Sequence, residues 1–181
     1  NMALSTIGTN SIADSAVTTA KSTANITMVN QWRITTSFTQ SAGQSDITSN
    51  WELVDTNSYG SIGSNMTESS GIFTFPSTGV YNVIYRNQGR AEGAARLRLG
   101  GRIKVTTDNS SYSTATFAFT SATNNLYNFA TFMNIIIDVT DTSNTKVKFT
   151  SETDSSSGSA FFDNESGITY NAVTFIRYGD T

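Results

Sequence analysis

"GIFTFPSTGVYNVIYR", residues 71–86, decides how the rest of the chain is read. It holds the only proline among 181 residues, Pro76, inside the densest aromatic stretch. Proline has no N–H to give to a sheet ladder, so it belongs at a strand end or a turn. The stretch therefore predicts two strands, residues 72–75 and 80–86, about a corner made by Pro76, Ser77, Thr78 and Gly79. The second strand is apolar in both phases: Val80 and Ile84 alternate with Tyr81, Val83 and Tyr85, and Asn82 alone breaks the pattern. Successive side chains of a strand point to opposite faces, so this one needs apolar cover on both. One cover is the core of the domain; the other is expected to be a neighbouring subunit.

Working outward, the pattern from Thr27 onward has a period of two. Trp32, Ile34 and Phe38 alternate with Arg33, Thr35 and Ser37. In "RLRLGGRIKV" (96–105), Leu97, Leu99, Ile103 and Val105 fall on one face. Arg96, Arg98, Arg102 and Lys104 fall on the other, with Gly101 expected at a bend or bulge. "LYNFATFMNIIIDV" (126–139) places Tyr127, Phe129, Met133, Ile135, Ile137 and Val139 together. "TKVKF" (145–149) alternates again, and "YNAVTFIRY" (170–178) reads as a last strand. The segments "TQSAGQSD", "TNSYGSIGSN", "DNSSYS" and "ETDSSSG" read as loops. About eight to ten short strands with polar turns and no long helix predict an all-β sandwich or barrel.

Hydrophobic residues make up 37% of the chain and charged residues only 14%. Ser, Thr and Asn, about four residues in ten, supply the polar surface instead. The absence of cysteine and histidine excludes disulfides, thiolate nucleophiles, the usual zinc sites and imidazole acid–base chemistry. A net charge of −3 is too small to point to nucleic acid or an anionic membrane as partner. No apolar run is long enough to span a bilayer as a helix, and no basic-then-apolar leader is visible. Residues 1–26 differ from the rest. "SIAD" (11–14) fits a helix cap, Lys21 suits a helix C-terminus, and the apolar residues are scattered. Two readings stand: an extended arm carrying one short helix, or an unstructured tail.

"SSGIFTFPSTGVYNVIY" (69–85) resembles the signature of the complement globular head and tumour necrosis factor jelly rolls, with Gly71, Phe73, Phe75, Pro76, Gly79 and Tyr81 matching in order. An early aromatic strand, "WRITTSF", a hairpin, "NIIIDVTDTSNTKVKF", and the closing "YNAVTFIRYGDT" agree in arrangement, so the resemblance spans roughly 27–181. The chain departs from that family in its cysteine-free core and in lacking a Gly-x-y stalk before the head. The resemblance implies a ten-stranded jelly-roll β-sandwich that assembles as a homotrimer with aromatic residues about the threefold axis. It places Tyr81, Tyr85 and Phe175 at the trimer interface. "GTNSIADSAVTTAK" (8–21) resembles N-terminal segments of bacteriophage fibre and virion proteins. It implies a non-enzymatic virion protein, either a capsid decoration or a short fibre or fibre tip, on the particle surface. Residues 1–26 would be an arm docking on a capsid or tail protein through Leu4, Ile7, Ile12 and Val17, and 27–181 the head. With Met2 as the start, arm plus head would be the whole protein.

Other chemistry has weaker signals. Asp138 with Asp141, and Asp154 with Asp163 and Glu165, are the candidate carboxylate pairs, but they sit in turn-rich segments where acidic residues are common. No base, nucleophile and orienting group gather, so no catalytic residue is assigned. Loop carboxylates suit calcium, yet no Asp-x-Asp-x-Asp-Gly loop occurs, so no metal or cofactor is assigned. Residues 86–104 hold six of the eleven basic side chains, as a polar outer strand face or as a docking patch for an acidic neighbour. Tyr59, Tyr112 and Tyr170 near loops fit either packing caps or stacking platforms for a glycan. An extracellular carbohydrate- or receptor-binding module is therefore the alternative reading.

Overall fold

Pro76 and the three residues after it turn the chain between β6 (Ile72–Thr74) and β7 (Gly79–Glu92) in the computed structural model, which describes residues 26–154 and 159–181. The corner is held by its own neighbours. The Tyr81 hydroxyl donates to the Ser77 carbonyl at 2.9 Å, and the Arg177 guanidinium donates to the Thr78 carbonyl at 2.9 and 2.8 Å. Gly79 has φ +134°, and a Cβ there would meet the Gly179 carbonyl oxygen at 2.4 Å, so only glycine fits. Leu4, Ile7, Ile12 and Val17, with the expected short helix, lie outside the described residues.

Thirteen strands form two antiparallel sheets among the described residues. In the first sheet β7 is the spine. Its whole length pairs on one side with β10 (Asn128–Val139). Its other side takes β13 (Ala172–Gly179) and then β12 (Ser159–Phe162). Beyond β13 lie β1 (Met28–Ile34) and β4 (Trp51–Leu53), and beyond β12 lies β2 (Phe38–Gln40). The second sheet runs from β9 (Ser113–Ala122) through β8 (Arg96–Thr106) to β11 (Lys146–Thr153). The far side of β11 is shared by β6, with β5 (Thr67–Ser69) outside it, and by β3 (Gly43–Asp46). The expected jelly roll is thus present. Some of its strands are short pieces sharing one long partner, which raises the count above ten.

The core between the sheets centres on Phe73. Its ring lies 5.5 Å from Trp32, 5.2 Å from Trp51, and 5.4 Å from both Phe149 and Phe175. Removing such a ring costs about 3–5 kcal/mol. A smaller apolar cluster, including Leu99, Phe129 and Phe162, fills the other end. Between the two, Asn87 donates to the Tyr85 hydroxyl at 2.7 Å, and that hydroxyl donates to the Thr150 carbonyl at 3.2 Å.

Three sequence expectations need correction. Along β8 the alternation breaks: a register shift between Arg96 and Leu99 puts Arg96 inside and leaves Leu97 85% exposed, the reverse of the strict period. Arg33, expected on a polar face, is 1% exposed because its guanidinium pairs with Glu52 at 3.0 Å. Tyr127 precedes β10 and is exposed rather than joining Phe129 inside.

On the outer face of the second sheet Glu152 is ringed by cations. Its carboxylate meets Arg98 at 2.8 Å and Arg102 at 2.7 Å while only 5% of its side chain is exposed. Burial raises this carboxyl, but hydrogen bonds and charge from Arg102 and Arg98 outweigh burial and hold it below the usual carboxylate range. A depressed folded value means its stabilisation is complete above the ordinary pKa of about 4.3 and lost as pH falls through the folded value. Melting temperature should therefore be flat from about pH 6 to 8, where no histidine titrates, and drop on acidification below about pH 4. Glu152→Gln should cost about 1.5–3 kcal/mol at neutral pH and shrink the acid loss. Thermal scans of both proteins across pH check this, and superimposable curves would remove Glu152 from the account.

Candidate functional site

The period-two logic that buries one side of β7 exposes the other. Tyr81, Val83 and Tyr85 are 0% exposed within the protomer core, and so is Phe175 of β13. Tyr81, Tyr85 and Phe175, expected at a trimer contact, pack on the inner side of their strands in the core of the protomer. The outward residues of the same strands are the ones available. Val80, Ile84 and Ile176 are half-buried, and beside them on β10 Phe132 is 65% and Ile136 59% exposed. Phe132 and Ile136 escaped the sequence reading because the other phase of β10 was already apolar. The run Ile135–Ile136–Ile137, apolar in both phases, was the available signal.

Strand pairing turns these side chains into rows across the sheet. One row runs Ile136, Asn82, Ile176, Val29 and Ile62. Asn82 sits mid-row, donates to the Tyr178 hydroxyl at 3.1 Å, and has a buried Oδ1 without a hydrogen-bond partner. The next row holds Asn134, Ile84, Thr174 and Gln31, with Gln31 donating to Thr174 at 2.8 Å. The row after it is mixed: exposed Phe132, then Arg86, which lies over its ring at 5.7 Å, and Ala172, Arg33 and Glu52. The face therefore grades from an apolar end near the Pro76 corner to a polar end near Glu92.

The basic stretch does not form an open patch. Arg98 and Arg102 share Glu152 and lie over the Phe119 ring at 5.2 and 5.4 Å. Lys104 and Lys148 share Asp46 at 3.8 and 2.6 Å. The outer face of the second sheet thus neutralises much of its own charge, as a solvated strand face does, and Arg96 is not on it.

The candidate carboxylates are dispersed. Asp138 is exposed at the end of β10, and Asp141 binds the amides of its own turn, accepting from Ser143 N at 2.7 Å. Asp154 accepts from Leu97 N at 2.8 Å, and Asp163 pairs with Arg90. Among the described residues no three metal-ligating side chains come together. The tyrosines also separate. Tyr59 is exposed in the loop before β5, and Tyr112 covers the Lys148 ammonium at 4.3 Å. Tyr170 lines a recess of about 520 Å³ with Gln88, Asn128 and Asp163 at the polar end of the first sheet.

At the level of sequence the chain matches no protein-family model and no curated protein. Its fold has clear counterparts among solved structures. Eiger TNF from S. frugiperda superposes with a TM-score of 0.62 at 12% identity, over 87% of this chain and 96% of that one. Murine APRIL superposes with a TM-score of 0.60 at 9% identity, over 83% of this chain and 98% of that one. The likeness extends over nearly the full length of both neighbours, and the fold of this chain is the tumour necrosis factor type of jelly roll.

Proposed function

We propose that this chain is a non-enzymatic, homotrimeric jelly-roll head of a phage particle, a capsid decoration or short fibre, with residues 27–181 as head and 1–26 as docking arm. The observation that carries the assembly is the apolar end of the first sheet's outer face. Two large apolar side chains, Phe132 and Ile136, stand mostly exposed beside half-buried Val80, Ile84 and Ile176. A contiguous apolar face of this kind on a water-exposed sheet marks a contact surface. The particle-surface location and the capsid or tail partner rest on the resemblance of residues 8–21 to virion protein termini. The non-enzymatic reading draws on the dispersal of the carboxylates: Asp141 accepts from its own turn, Asp154 from Leu97 N, and Asp163 pairs with Arg90.

Light scattering of the full chain should give a trimer mass, and Phe132→Asp with Ile136→Asp should shift it to monomer without loss of β-structure. A wild-type monomer at micromolar concentration would sink the assembly reading. Deleting 1–26 should leave the head folded and trimeric yet abolish incorporation into particles, with Ile7→Ser plus Ile12→Ser doing much the same. Each buried aliphatic side chain of the arm contributes about 1.5–3 kcal/mol, opposed by ordering entropy, and three arms on one trimer multiply a weak contact. Normal copy number of the truncated protein on particles would reject the arm as the anchor.

A further inference from the structure

We infer that the recess at the polar end of the first sheet is a binding site for a neutral saccharide. It occupies about 520 Å³ and is open to solvent on one side. Three separate parts of the chain build it: Gln88 from β7, Asn128 from the start of β10, and Asp163 and Tyr170 from the segment between β12 and β13.

Its polar groups are the unusual feature. Gln88 uses its side-chain oxygen for Arg86, which leaves its amide nitrogen without a partner among the described residues. The Asn128 side chain and the Tyr170 hydroxyl likewise make no hydrogen bond to any described residue. Asp163 receives Arg90 on one carboxylate oxygen, leaving the second oxygen unbonded among the described residues. Two planar amides, a carboxylate oxygen and a phenol therefore converge on one concavity, offering both donors and acceptors within a short span. Vicinal sugar hydroxyls, each donor and acceptor at once, match that set. The half-buried Tyr170 ring supplies an apolar face for the C–H side of a pyranose.

Rigid support and charge narrow the ligand. Asn171, 0% exposed, exchanges hydrogen bonds with the Gln88 backbone at 2.7 and 3.0 Å and donates to the Asp163 carbonyl at 2.9 Å. The walls are thereby tied together before any ligand arrives, as a preorganised site requires. Two cations lie nearby, Arg86 on the Gln88 side chain and Arg90, which pairs with Asp163 and with Glu92 and lies 4.1 Å from the Phe161 ring. Two carboxylates against two guanidiniums leave this rim without a net charge to attract sialic or uronic acids, so hydrogen bonding selects the ligand, which suits uncharged sugars.

The site lies within a single protomer, so it stands whether or not the chain trimerises or joins a particle. The test uses the full chain with methyl glycosides of galactose, glucose, mannose and N-acetylglucosamine, followed by saturation-transfer NMR. At least one should bind, and Tyr170→Ala and the exposed Asn128→Ala should each weaken it about tenfold or more at unchanged melting temperature and unchanged mass by light scattering. No binding of any of the four at millimolar concentration would overturn the site. Binding that survives both substitutions, or that is confined to acidic sugars, would overturn it as well. Trimer mass read on the same samples separates failure of this site from failure of the assembly.

Discussion

A single strand with two apolar faces is the constraint on which the rest depends. β7 carries Tyr81, Val83 and Tyr85 on one side and Val80 and Ile84 on the other, and no single sandwich can cover both. The inner side is satisfied by the second sheet, through the ring cluster about Phe73. The outer side stays only half-covered within one copy, and the neighbours β10 and β13 extend the same character across the sheet through Phe132, Ile136 and Ile176. The Pro76 corner starts this strand at a fixed place, since Arg177 and Tyr81 hold the turn carbonyls and Gly79 admits no Cβ. Slipping the strand by one residue would send the tyrosines outward and the aliphatics inward, so the register decides which side chains face outward.

Polar groups are arranged around that constraint rather than against it. Inside, the Asn87–Tyr85–Thr150 chain divides two apolar clusters. Outside, the second sheet answers its arginines and lysines with Glu152 and Asp46 and stacks two of the arginines on Phe119. A face that neutralises itself has little reason to recruit an acidic partner. The first sheet's face is unlike it. Among the described residues its apolar end lacks cover and its polar end carries hydrogen-bonding groups without partners, and both of these surfaces lie on the same sheet.

This division gives the molecule a simple functional geometry. Contact between copies would use the end of the sheet near the Pro76 corner, and recognition the end near Glu92. The two ends are joined by rigid strands, with the half-covered aliphatics and the polar recess separated by the Arg86–Phe132 row. Asp141 stays apart from both in its own turn, where the Ser143 and Asn144 donors hold the group below the ordinary carboxylate range.

What the sequence by itself determined was local in origin. Proline's missing N–H located the corner, period-two alternation marked the main strands, and the double-phase run of residues 80–85 marked a strand apolar on both faces. The inner phase of β10 from Phe129 to Val139 was legible for the same reason. Tertiary structure alone decided which phase is which where the ladder is irregular. The shift between Arg96 and Leu99 inverts the expected faces of Arg96 and Leu97 at the start of β8, because a bulge is set by the partner strand and leaves no mark in the alternation itself. Only pairing across β10, β7, β13 and β1 could join Ile136, Ile176 and Val29 into one row, or bring Gln88, Asn128, Asp163 and Tyr170 around one recess. Val29 and Ile176 alone are 147 positions apart (176 − 29), and such meetings depend on long-range strand order, which no local pattern encodes.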